Sequence, residues 1–234
     1  QNVDLTIVIG TGSALFGKGK IVYFDLPKNE IQYRMRAGHI ANLGNLKPEN
    51  PVQMYKRFYF VDWVVCNSHR QNITERIEIV ADGQWRYDTN WIFFQELQQG
   101  LKQLTQQSIR VRPWFEAGAW GGQWMKNHFE QINTQEINYA WSFELIVPEN
   151  GLVFESDQKL LEVSFDWLME QQSEGVLGKD AARFGTEFPI RFDFLDTFQG
   201  GNLSIQCHPS LAYIQEHFGE TITQDETYYI LDAK

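Results

Sequence analysis

From Arg112 onward no apolar run lasts long, because turn-forming residues cut across the chain, as at Val147-Pro-Glu-Asn-Gly151 and Glu155-Ser-Asp157. Clusters of Gly, Pro, Asn and Asp mark turns, and only short strands fit between them. An all-β sandwich or barrel is the expected architecture for this half, with helical insertions near 165–184 and 210–217.

The first half reads differently. Residues 4–9 and 21–26 are strand-like, and the glycine-rich stretch Gly10 to Gly19 between them reads as a hairpin turn. Pro27 sits where a helix can start, Ile31 and Met35 follow at helical spacing, and Gly38 stops it. The apolar and aromatic run 58–65 suggests a strand, and so does the alternating Arg76-Ile-Glu-Ile-Val80. Trp91, Phe94, Leu97, Leu101 and Leu104 mark an amphipathic helix reaching about Gln107. The chain thus divides at about 108–112 into a mixed α/β region, 1–108, and a β-rich region, 109–234.

Gly12-Ser-Ala-Leu-Phe-Gly17-Lys18 matches the opening of a phosphate-binding P-loop, but Gly19 stands where Ser or Thr must hold magnesium. A β-type run follows where the motif needs a helix N-terminus, so no nucleotide site is expected there.

The net charge of −10 argues against a nucleic-acid partner, and an anionic ligand would need a local basic patch. Arg34, Arg36, Lys56, Arg57 and Arg191 are candidates for it. No run approaches a membrane span, and no basic-then-apolar export signal opens the chain. Cys66 and Cys207 are too few for a disulfide framework, so a cytoplasmic setting is expected. Most of the aromatic residues are expected in the core.

The densest chemistry lies near the end of the chain. Leu203, Ile205 and Cys207 alternate with Ser204, Gln206 and His208, so in a strand Gln206 and His208 point together. A second run places Glu226, Tyr228, Ile230 and Asp232 on one face and Thr227, Tyr229 and Leu231 on the other. Should these strands neighbour each other in a barrel, an amide oxygen, an imidazole and a carboxylate converge. That donor set suits zinc or another borderline divalent cation, with a fourth ligand or a water completing the tetrahedron. Cys207 faces away and reads as a small core residue.

Leu203-Ser204-Ile-Gln206-Cys-His208-Pro209, Glu226-Thr-Tyr228-Tyr229-Ile230, Arg112-Pro113-Trp-Phe115 and Trp120-Gly121-Gly122 stand in this order in the chain. With Trp141 and Phe188-Pro189 they resemble type I phosphomannose isomerase over roughly residues 109–234. That family interconverts mannose 6-phosphate and fructose 6-phosphate with zinc on a cupin fold, a double-stranded β-helix or jelly roll. The resemblance implies that Gln206, His208 and Glu226 are zinc ligands and that a sugar phosphate is the substrate. It also implies a longer protein, since the family's fourth ligand, a His, and a substrate-side Arg belong to later strands; the cupin domain here is expected to be incomplete. Residues 1–108 resemble part of the extra region of the long bacterial form.

Two positions depart from the family. Gln224 stands where a lysine is usual in the run Thr223-Gln224-Asp225-Glu226, and Asp193, with Arg191 nearby, replaces a basic residue after Phe188-Pro189. Asp193, Asp225 and Arg191 are the candidate catalytic groups. The competing readings are a non-catalytic cupin-like sugar- or metal-binding module, or a structural domain whose barrel is closed by a further C-terminal part or by a partner chain. An open edge at 226–234 offers a route to self-association.

Overall fold

The computed structural model describes residues 5–143 and 147–233. The fold is mixed α/β, with three small sheets and no closed barrel among the described residues. No described helix is long and apolar enough to cross a membrane.

The first sheet has the order β1 (Ile21–Asp25), β2 (Ile77–Asp82), β3 (Trp91–Phe93). β1 and β2 run parallel, and β3 pairs antiparallel with β2, Val80 lying opposite Ile92. The connection from β1 to β2 carries α1 (Lys28–Arg36), α2 (Pro51–Arg57) and α3 (Trp63–Ile73), with a π-helical stretch, Phe58–Asp62, joining the last two.

The strand expected over 58–65 is therefore helical. Asn50 caps α2 by accepting from Val52 N at 3.0 Å, and Pro51 fills the first turn, where its missing N–H costs nothing. Met54, Phe58 and Asp62 then follow every fourth position into the interior, with Trp63, Arg70 and Ile73 beyond them. The β-branched run that suggests a strand is the outward face, where Val61, Val64 and Val65 are exposed.

The hairpin expected around Gly10 to Gly19 is also absent. Ser13–Phe16 is a single 3-10 turn between Gly12 and Gly17, whose φ values of 80° and 77° favour glycine. Residues 5–9 form no strand and find no pairing neighbour among the described residues, Leu5 to Ile9 being exposed; residue 4 of the expected strand lies outside the described residues. The amphipathic helix is α4 (Phe94–Leu104), the aromatic residues ahead of it being taken by β3.

After residue 112 the strands are short, as expected, but they make two separate sheets. One has the order β4 (Trp114–Glu116), β5 (Trp141–Phe143), β8 (Phe194–Leu195), all antiparallel. The other is the hairpin β6 (Gly151–Ser156) and β7 (Lys159–Ser164), turned by Asp157 and Gln158 at φ 50° and 64°. α5 (Trp124–His128), α6 (Asp166–Leu177), α7 (Ala181–Phe184) and α8 (Leu211–Phe218) complete the elements, the helical insertions standing where the sequence placed them.

One apolar cluster draws on both sides of position 108: Ile77, Val80, Leu97 and Leu101 meet Leu152, Val163, Phe165 and Trp167. At its edge lies a buried charged network. Arg70, 1% exposed, holds Glu170 through Nη2–Oε1 at 2.5 Å and Nε–Oε2 at 3.0 Å, reaches Asp25 at 3.6 Å, and lies 4.5 Å over the Trp167 ring. Burial alone would lower the guanidinium's pKa, but its hydrogen bonds and charge pairing with Glu170, together with the nearby Tyr23 and Asp166, hold it above the ordinary value. Asp25 also accepts from Ser164 N at 2.5 Å, and Lys28 pairs with Asp166 at 2.6 Å. Breaking such a pair strands a charge in the interior. Arg70→Met is expected to cost about 3–5 kcal/mol in urea unfolding. Removing the exposed Lys20–Glu78 pair with Lys20→Ala should cost no more than about 1 kcal/mol. Similar losses for the two variants would contradict the role given to Arg70.

Glu149 is buried, with the Tyr55 hydroxyl donating to its Oε1 at 2.9 Å and the Gln32 side chain beside the carboxyl. Burial pushes its pKa up, against the pull of Gln32, Tyr55, Arg191 and Arg36. A raised folded value gives stability that is complete below the unfolded value and is lost as pH rises through the folded one. Glu149→Gln should therefore raise the Tm at pH 7.5, with the gain shrinking as pH falls toward about 4.5. A gain that grows on acidification would be the wrong sign.

Candidate metal site

The Trp-Gly-Gly turn orients the chain that leads to His208. A Cβ on Gly122 would stand 2.1 Å from Asp196 Oδ1, so only glycine lets the two segments meet. Asp196 is buried and accepts from Met125 N and Phe198 N, both at 3.0 Å. Gly201 N then donates to Trp120 O at 2.9 Å. From this anchor the chain runs out through Gln206 and His208 to Pro209.

The expected strands at 203–208 and 226–232 do not form: both segments are irregular and exposed, with no ladder partner among the described residues. A strand is a paired structure, and alternation by itself supplies no partner. The two segments are instead brought together by the helix between them. Ser210 Oγ caps α8 by accepting from Tyr213 N at 3.3 Å, and Gly219, at φ 71°, ends it. Thr223 Oγ1 then donates to Pro209 O at 2.6 Å and closes the loop at its base.

That closure sets His208 Nε2 2.8 Å from Glu226 Oε2, with the two side chains 33% and 28% exposed. Gln224 Nε2 donates to the same carboxylate oxygen at 2.9 Å. Hydrogen bonds from Tyr228 and His208, and from Gln224, hold the Glu226 carboxyl below its usual range, so it is an anion ready to act as a ligand. Asp193 lies within electrostatic reach, and burial together with the Glu226 charge pushes its carboxyl up to about 6.

The remaining sequence candidates lie elsewhere around this pair. Gln206 is exposed and makes no hydrogen bond among the described residues, and Asp225 is exposed. Arg191 is tied to Tyr59, Nη2 to hydroxyl 3.0 Å, in a cleft it shares with Glu187 and Glu220, and its Nε is buried without a partner among the described residues. Arg34, Arg36 and Arg57 each serve a separate acid: Glu30 at 2.7 Å, Glu116 at 2.5 Å and Asp62 at 3.8 Å. Gln224 and Thr223 went unassigned in the sequence as supports for Glu226, although Gln224, Glu226 and Tyr228 share a period-two register that links them.

The donors fit a borderline divalent cation. Two ligands about 2.0–2.1 Å from a tetrahedral zinc stand about 3.3 Å apart, so the His208–Glu226 pair needs to open by only about half an ångström. No group of three His, Cys, Asp or Glu side chains assembles among the described residues, so a third protein donor here would be an amide such as Gln206.

Residues 1–106 match a family model described as a domain of unknown function (DUF8485). Over 131 residues the chain is 25% identical to mannose-6-phosphate isomerase ManA of Bacillus subtilis (strain 168), a stretch covering 56% of this chain and 39% of that protein. The chain therefore spans less than half the length of this relative. No solved structure matches it. The similarity to the mannose-6-phosphate isomerase family is distant and partial.

Zinc titrated by calorimetry against a competing chelator should show one site per chain. His208→Ala and Glu226→Gln are each expected to weaken it at least roughly tenfold, while Cys207→Ser leaves it unchanged. Equal affinities across the series would rule out this pair as ligands.

Proposed function

We propose that this chain carries the metal-binding part of a sugar-phosphate aldose–ketose isomerase, interconverting mannose 6-phosphate and fructose 6-phosphate, on a cupin-like domain of which 109–234 is a part. The observation that carries the reading is the His208–Glu226 contact at 2.8 Å, built by residues on either side of α8. The partial similarity to the Bacillus subtilis isomerase supports it.

In this reading Gln206, His208 and Glu226 hold zinc. Zinc held by these residues would supply Lewis acidity toward the sugar carbonyl. The chain's own groups orient the sugar and move the proton between C1 and C2. Of the candidate bases, Asp193 lies within electrostatic reach of Glu226, whereas Asp225 is exposed. Gln224 keeps Glu226 aimed at the site.

The neutral Gln224 favours a second reading, a module that binds metal and sugar without turnover. A lysine at that position would add a charge-assisted hydrogen bond to phosphate, worth about 1.5–3 kcal/mol. Gln224→Lys is therefore expected to tighten mannose 6-phosphate binding roughly tenfold.

In a coupled assay with zinc supplied, mannose 6-phosphate should be turned over. Turnover should cease on chelation and fall at least about a hundredfold in His208→Ala. Saturable binding of zinc and the sugar phosphate without any turnover would replace the isomerase reading by the binding-module one.

A further inference from the structure

The cleft that holds Arg191 encloses about 130 Å³ and shares no lining residue with the His208–Glu226 pair. Segments far apart in the chain wall it, among them the helical run around Tyr59 and Trp63, the stretch from Thr186 to Arg191, and Glu220 just beyond α8. Tyr59 belongs to the π-helical stretch Phe58–Asp62, and π-turns inside helices are frequent at functional sites.

The charged groups of this cleft are opposite in sign and yet unpaired. Arg191 forms no ion pair with Glu187 or Glu220 among the described residues, and neither carboxylate makes a hydrogen bond there. Of the guanidinium donors only Nη2 is engaged, with the Tyr59 hydroxyl at 3.0 Å. Nε is enclosed, whereas Nη1 and the carboxylate oxygens of both glutamates are neither bonded nor enclosed. Asp166 also lines the cleft, but Lys28 at 2.6 Å and Trp63 Nε1 at 3.0 Å already answer it. Burial pushes both glutamate carboxyls up, Glu187 further through the charge of Glu220, and Arg191 pulls against it.

Opposite charges in a half-buried cleft are expected to close on one another, since each otherwise carries its desolvation cost without a partner. A ligand with an ammonium for the glutamates and a carboxylate for Arg191 answers all three at once. A lone anion meets two carboxylates against one guanidinium. A lone amine leaves the free guanidinium donor unanswered.

The rest of the lining is aromatic. Tyr59 and Trp63 meet edge to face, with ring centroids 5.5 Å apart and planes at 85°, and Phe188 packs on Phe165 of the main apolar cluster at 5.1 Å. Aromatic walls of this kind take an aliphatic side chain, and their faces attract an ammonium. The volume is well below the roughly 300–1,000 Å³ of sites for drug-sized molecules, so the ligand is small.

We infer that this cleft binds a free α-amino acid with a small aliphatic side chain, its carboxylate on Arg191 and its ammonium on Glu187 and Glu220. Saturation-transfer NMR on the whole chain tests it with valine, with its two halves, isobutylamine and isovalerate, and with glucose as a neutral probe. Valine should give a saturable signal, and each half should bind at least roughly tenfold more weakly, because one charge-assisted pairing is lost. Glu187→Gln and Arg191→Gln should each weaken valine by a similar factor, while Arg191→Gln should not weaken isobutylamine and Glu187→Gln should not weaken isovalerate. The comparison of valine with its halves needs the parent chain alone, so it decides even where a variant folds poorly. The inference is overturned if valine gives no saturable signal, if either half binds as tightly as valine, if glucose displaces valine, or if both folded variants bind valine as the parent does.

Discussion

The bidentate pairing of Arg70 with Glu170 is the interaction on which the rest of the chain leans. It joins α3 to α6, and through Asp25 and Ser164 it also ties the end of β1 to the end of β7. A guanidinium taken out of water is tolerated only when its hydrogen bonds and charge are nearly all answered, and here Glu170, Asp25, Asp166, Ser164 and the Trp167 face answer them. Such a network has one geometry that satisfies it, so it fixes register between sequence-distant segments more firmly than apolar contact alone does. Residues on either side of position 108 are consequently held around one apolar cluster.

The candidate metal site rests on a lighter device. Nothing in the His208–Glu226 region is buried, and its geometry comes from a capped helix and one side-chain bond from Thr223 to Pro209. Those are features worth about 1 kcal/mol each, enough to bring two ligands together in an open loop. A bound ion would add to them, since a metal that binds only the folded arrangement stabilises it by mass action.

The elements legible in the sequence are those whose signal is local. β1, α1, β2, most of α4 and the helices near 166–177 and 211–218 follow from periodicity and from Pro and Gly punctuation. The run 58–65 misleads because Val61, Val64 and Val65 are apolar yet exposed on a helix, and the Asn50-Pro51 start signal lies well upstream of them. At the site, the pairing of His208 with Glu226 is legible from their motifs, but its support is not. The alternation in 203–208 and 226–232 specifies which side chains share a side; it does not specify a partner strand, and the link that replaces one, Thr223 to Pro209, uses an ordinary hydroxyl and a backbone carbonyl with no sequence signature.

Zinc K-edge absorption of the zinc-loaded chain tests the central claim most directly, because it reads the donor atoms themselves. An N/O-only shell at about 2.0–2.1 Å, including the scattering of one imidazole and altered in His208→Ala, is the predicted result. A sulfur shell near 2.3 Å from Cys66 or Cys207, or a spectrum that His208→Ala leaves unchanged, would contradict it.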